Sequence, residues 1–239
     1  MRVRVRNISI MVPGFFLMFL LSSCTVSLKH SDENNIKKDY DITDFNRIEF
    51  EGAYNIVLYQ GDGPTLAIKT TEDLHEKIRT WVSDSILHIK TSVKNISSDE
   101  IKVDIHFNNL DEVIIKGGAF LKTDGYVELN NFNIHIEGGA SVDMQVNAET
   151  IKAKAEGAVN IDLQGVANEF YASCDGAGNI DADELKTKFV DCRVSGVGNA
   201  SVYATDELKA RVEGLGKISY RGNPRLDKKV DGIGLVYKK

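Results

Sequence analysis

The chain has 239 residues, 42% of them hydrophobic and 27% charged, a balance that excludes a disordered chain and allows one large or two small domains. A formal net charge of -6 is the opposite of the basic surface that reads nucleic acid, so no nucleic-acid partner is expected. Three cysteines are too few for a disulfide scaffold.

At the N-terminus Arg2, Arg4 and Arg6 precede an apolar run from Ile8 to Leu21, broken only by Pro13 and Gly14. A basic start, a short apolar core and small residues behind it predict a secretory signal peptide over residues 1–23. The run is shorter than the roughly 20 residues that a spanning helix needs. Leu21-Ser22-Ser23-Cys24 resembles the bacterial lipobox, which implies lipidation of Cys24 as the first residue of the mature chain. The same likeness implies a partner in the membrane, through that lipid, and a place in the cell envelope at the outer membrane. A plain secretory signal with a chance cysteine is the alternative. Residues 24–40 are polar and non-periodic, and read as a flexible tether.

From 41 to 115 apolar residues alternate in short runs: Ile48 and Phe50, Ile56 and Leu58, Leu66 and Ile68, then Ile101, Val103, Ile105 and Phe107. Gly61-Asp62-Gly63-Pro64 and Asn108-Asn109 supply turns between them. Asp73 to Trp81 reads as one or two helical turns. The segment is expected to form irregular first coils and a cap, joined to the C-terminal half of the chain in one domain, 41–239.

The strongest signal is a repeat. Gly117, Gly138, Gly157, Gly176, Gly196, Gly214 and Gly232 recur at spacings of 21, 19, 19, 20, 18 and 18, and Glu51-Gly52-Ala53-Tyr54 is an eighth copy standing apart. Around each glycine the sequence alternates with period two, as in Phe132, Ile134 and Ile136 before Gly138 and Ala140 and Val142 after it. A strand, a corner and a second strand with its apolar side chains on the same side cannot bury that side alone, so copies must stack. The predicted fold is all-β, a parallel β-solenoid. A period near 19 is too short for the four-stranded blade of a propeller, and a sandwich or propeller is the lesser alternative.

The lipobox, the Gly-x-Gly corners, Phe45-Asn46-Arg47-Ile48, Glu51-Gly52-Ala53-Tyr54 and the closing Tyr220-Arg221-Gly222-Asn223-Pro224 together resemble the head GIN domain family of auto-transporter adhesins, as found in Bacteroidetes-type lipoproteins. The resemblance implies a right-handed parallel β-helix over 41–239 and suggests adhesion, and it carries no catalytic, cofactor-binding or metal-binding residues onto this chain.

Candidate chemistry in the residues themselves is sparse. The residue before the corner glycine is acidic six times, at Glu51, Glu137, Glu156, Asp175, Glu213 and Asp231, on the outward parity. A solvated stripe is the preferred reading over a Ca²⁺ site, because Ca²⁺ takes six to eight oxygens. Asn55, Asn160, Asn179 and Asn199 follow the glycine by three and read as structural. Tyr203, Tyr220 and Tyr237 either stack on sugars or complete the ladder. The five histidines lack metal-ligand spacing, and no phosphate loop or nucleophile elbow appears. Cys174 and Cys192 fall on the buried parity but offset by two residues, too far apart to bridge. Asp181-Ala182-Asp183 is the tightest acidic pair and reads as two outward carboxylates with no nearby cation. The expectation is a non-catalytic envelope module, needing no cofactor, that binds a protein or glycan partner. A polysaccharide lyase or hydrolase, or a scaffold that self-associates as a homo-oligomer, are the alternatives.

Overall fold

The computed structural model describes residues 34–239. The predicted signal peptide, Cys24 and His30 lie outside the described residues. Thirteen strands and one short helix follow in order: β1 Ile36–Tyr40, β2 Arg47–Gln60, β3 Thr65–Thr70, α1 Glu72–His75, β4 Ile78–Ser83, β5 Ile86–Thr91 and β6 Lys102–Phe107. Then come β7 Glu112–Glu128, β8 Asn131–Cys174, β9 Ala177–Val194, β10 Val197–Val212, β11 Leu215–Arg221, β12 Arg225–Val230 and β13 Ile233–Lys238. β8 alone runs through two corners of the winding.

From β2 onward the successive levels pair in parallel, β2 to β7 to β8 to β9 to β10 to β11 to β13, with β12 also on β10. This is a parallel β-solenoid. Register locks every corner on the one below: Gly52 pairs with Gly117 and Gly117 with Gly138, and the glycines stand in one column. A Cβ on Gly157 would collide with the carbonyl oxygen of Gly138, and the same holds at Gly196 over Gly176. Two corner geometries share this column. Gly157 has φ +141°, where L-residues are strained, whereas the Gly-x-Gly corners from Gly176 onward need glycine for the close approach alone.

The buried side chains are the alternating set: Phe132, Ile134 and Ile136, then Ile151, Ala153 and Ala155, then Phe170, Ala172 and Cys174, each stacked under the next. Apolar burial of these ladders, at about 25 cal/mol per Å², is the main stabilising term. Cys174 pairs with Val194 and Cys192 with Ala172, so the two thiols are offset as the spacing implies; both are free and buried.

Two expectations need adjustment. The tether is shorter than 24–40, because Ile36–Tyr40 is a strand antiparallel to β3, with Tyr40 and Ile42 packed against the core. The helical reading of Asp73–Trp81 holds for one turn only: Ile78–Ser83 is extended and antiparallel to β5, and Trp81 stacks on His88 at 4.6 Å between ring centres. The Gly52 copy, set apart in the sequence, stacks directly under Gly117. It is the first level, and residues 61–107 are an insertion that folds back to cover it, with β5 on the first half of β2 and β6 on the second. That cap satisfies a sheet edge that would otherwise be bare.

Candidate functional site

The stripe of residues before the corner glycine faces out as expected, but it is not left as bare acid. Two residues earlier stands a second outward column, and it is largely cationic. Lys154 pairs with Glu156 at 2.5 Å, Arg193 with Glu213 at 2.5 Å one level up, and Lys229 with Asp231 at 2.6 Å. Lys116 occupies the stripe itself between Glu51 and Glu137, and bonds Glu49. Asp175 accepts hydrogen bonds from Ser195 and from Ser173, which hold its carboxyl below the usual carboxylate range. Lys154, Lys229 and Ser173 reach a partner two residues along the chain, whereas Arg193–Glu213 and Ser195–Asp175 are 20 residues apart and Lys116–Glu49 are 67 apart, so a single repeat taken alone hides the pairs between levels.

His135, Glu137 and Glu156 each offer a ligand atom within 4.8 Å of the others. All three are at least partly exposed, and Lys154 already occupies Glu156. Three donors beside a bound ammonium make a poor cage for a hard cation.

A run of acids lies on the other face, five residues after the glycine, with Lys122 beneath it on the level of Gly117. Asp143, Asp162 and Asp181 stand on successive levels, with Asp162 registered on Asp181. Burial, then the like charges of Asp181, Asp143 and Glu184, push the Asp162 carboxyl above its ordinary range.

Asp183 corrects the reading of two outward carboxylates. A bulge between Ala182 and Lys186, seen as register shifts against both neighbouring levels, turns Asp183 inward to 8% exposure. There it accepts from Lys239 Nζ at 2.5 Å and Ser201 Oγ at 3.4 Å, and lies 3.5 Å from Arg221. The Lys239 hydrogen bond, above all, holds its carboxyl below the ordinary range. It is a structural anchor, not half of an acid pair.

The histidines are also accounted for. His88 pairs with Glu49 at 2.9 Å, His106 stacks on Tyr59, and buried His75 is bonded to Tyr40 Oη at 3.0 Å. Burial pushes the Cys192 thiol up to about 12, which keeps it an unreactive thiol. Tyr203 and Tyr220 are half-buried ladder residues, while Tyr237 is exposed.

A concavity lies on the outer face before the glycine column. It is a groove of about 690 Å³ around Tyr171, lined by Lys152, Lys154 and Arg193 and by Glu169 and Asp191, with Asp191 registered on Tyr171. A hollow of about 180 Å³ continues it past Tyr171 to Phe189 and Lys209. Tyr171 and Phe189 are 41% and 44% exposed, so two aromatic rings lie open on adjacent levels. Tyr171 Oη donates to Glu169 at 2.9 Å, and Lys152 Nζ sits 5.9 Å from the ring centre. The ring thus has charged donors and acceptors around it. Sequence periodicity does not mark Tyr171 and Phe189, because each occurs once in its column.

A family model described as "Putative auto-transporter adhesin, head GIN domain" matches residues 44–224. The chain belongs to that family. A "putative adhesin" from Bacteroides fragilis has a similar structure at 25% identity, with a TM-score of 0.81 over 87% of this chain and 98% of that one. Another from Parabacteroides merdae is 25% identical, with a TM-score of 0.62 over 86% of this chain and 96% of that one. A "putative lipid binding protein" from Parabacteroides distasonis shares the fold at 20% identity and a TM-score of 0.66, over 86% and 97% of the two chains. No curated protein matches the chain. The head GIN family is named for adhesion rather than for catalysis, and the Bacteroides fragilis adhesin shares the solenoid described above.

Proposed function

We infer that this head GIN domain is a non-catalytic binding module, anchored to the envelope by lipid on Cys24, and that it holds a glycan strand in the groove around Tyr171. The observation that carries the reading is the pair of open rings, Tyr171 and Phe189, flanked by Lys152, Arg193, Glu169 and Asp191 on otherwise uniform rungs. Sugar rings present apolar C–H faces to an aromatic platform and hydroxyls to charged donors and acceptors at its margin. Among the described residues the rungs from 112 to 221 carry no long loop that would wall in a reacting bond, and the one tight acidic pair is broken up by the burial of Asp183.

Binding of the protein to an array of bacterial and host glycans tests this. Tyr171→Ala is expected to weaken the best hit at least tenfold, with Lys152→Ala weaker in effect. Equal binding by Tyr171→Ala removes the groove from the reading. Capture of a protein partner in place of any glycan, or release of reducing or unsaturated ends, would replace it. Lipid attachment is tested separately by metabolic labelling with a palmitate analogue, which Cys24→Ser should abolish.

A further inference from the structure

The face on the C-terminal side of the glycine column is built differently. One residue after the corner, Gly118, Gly139, Ala158 and Ala177 line a shallow, largely apolar trough that Phe120 and Ser98 also border. The same column then turns into a ridge: Val197, Leu215 and Ile233, stacked in register, are 60%, 52% and 80% exposed. Side-chain size therefore rises along the rod, from none to branched aliphatic, about a midpoint at Ala177.

We propose that this strip is the interface of an antiparallel homodimer. A two-fold axis lying in the interface, perpendicular to the rod and passing Ala177, seats Val197 on Ala158, Leu215 on Gly139 and Ile233 on Gly118 of the second copy, and the reverse. Both copies have the same rung spacing, about 4.8 Å, so the whole strip stays in step. The next outward column obeys the same symmetry. Phe120, 53% exposed, meets Leu235, 66% exposed; Ser141 meets Lys217; Asn160 meets Asn199; and Asn179 meets its twin. An amide is self-complementary, offering both donor and acceptor, and Asn179 already donates to Asn160 at 3.4 Å. No carboxylate lies in either column, and the single cation, Lys217, faces a hydroxyl.

The strip spans seven levels, roughly 30 Å by 12 Å, and so covers about 400 Å² per copy against the ~800 Å² of stable complexes. The dimer is accordingly weak and favoured by high local concentration. At its margin Asp181 meets its own twin across the axis, so added salt strengthens association by screening that repulsion.

Mild oxidation of single-cysteine variants of the full chain in non-ionic detergent reads the register directly. Ala177→Cys should form a disulfide-linked dimer well above the parent level. Val197→Cys and Ala158→Cys should do so only when mixed, and Leu215→Lys should cut the Ala177→Cys cross-link at least tenfold. Cross-linking of Ala177→Cys at the parent level overturns the proposal, as does a cross-link that Leu215→Lys leaves unchanged. Equal cross-linking of Val197→Cys alone replaces this register with a different one.

Discussion

At the scale of single residues the glycine column sets the tolerance of the fold. Gly157 has φ +141° and no room for a Cβ beneath it, while Gly139, one residue past the column on the level below, has its nearest atom at 3.8 Å. Gly157→Ala combines backbone strain with a collision against main chain, and is expected to cost about 3 kcal/mol or more. Gly139→Ala places a methyl where Ala158 and Ala177 already carry one, and should stay within about 0.5 kcal/mol of the parent. Urea denaturation of the two variants checks this; equal losses would mean that the column is not what confines the corner. Such positions are legible in sequence because stacking imposes the same residue at every level. Tyr171 and Phe189 are not, since a surface residue that occurs once in its column leaves no periodic trace.

At the scale of elements charge is handled in opposite ways at two neighbouring aspartates of one face. Asp183 sits in the bulge of β9 with its carboxyl held low by Lys239, so its contribution is present at neutral pH and is lost as pH falls through its folded pKa. Asp162 has its carboxyl raised by burial and by Asp181, Asp143 and Glu184, so the folded state binds its proton more readily than the unfolded state. Its effect at neutral pH is unfavourable and is relieved as pH falls through the raised value. Asp162→Asn is therefore expected to stabilise at pH 7 by about 0.5 kcal/mol, an advantage that shrinks as pH falls through the raised value and is gone by about pH 4. Asp183→Asn is expected to destabilise at pH 7 by about 1–2 kcal/mol, with the loss shrinking at the same end. Melting curves at pH 7 and pH 4 separate them, and a shared sign at pH 7 would refute the assignment. The alternation that predicts the buried ladders misplaces Asp183 for a definite reason: the turn between Gly176 and Gly196 holds 20 residues rather than 19, and the extra residue forms the bulge that flips the parity. The pairs between levels, Arg193 with Glu213 and Lys116 with Glu49, are hidden in the same sense, because these partners meet only once the levels are stacked.

At the scale of the whole rod the two ends differ. The first level is covered by β5 and β6, while among the described residues the last strands, β12 and β13, pair on one side only. Leu226, Val230 and Val236 continue the interior columns there, so the end is a cut core with bare parallel edges, the arrangement most prone to join another copy. One residue breaks the pattern. Lys228 pairs with Ala210 and stands at the top of the interior column that runs through Ala172, Cys192 and Ala210, all buried. A charge aimed inward at an edge makes a further level, or a second copy placed end to end, bury an unpaired ammonium. Lys228→Val removes that penalty and extends the apolar column. Two such copies can meet only tail to tail, because the other end is capped, so the product should be a discrete dimer and not a fibre. Sedimentation of Lys228→Val in a Leu215→Lys background, where the lateral strip is disabled, should show a doubled mass at concentrations where Leu215→Lys alone is monomeric. A monomer in both would mean that the remaining lysines of the last level, Lys229, Lys238 and Lys239, guard the edge without it.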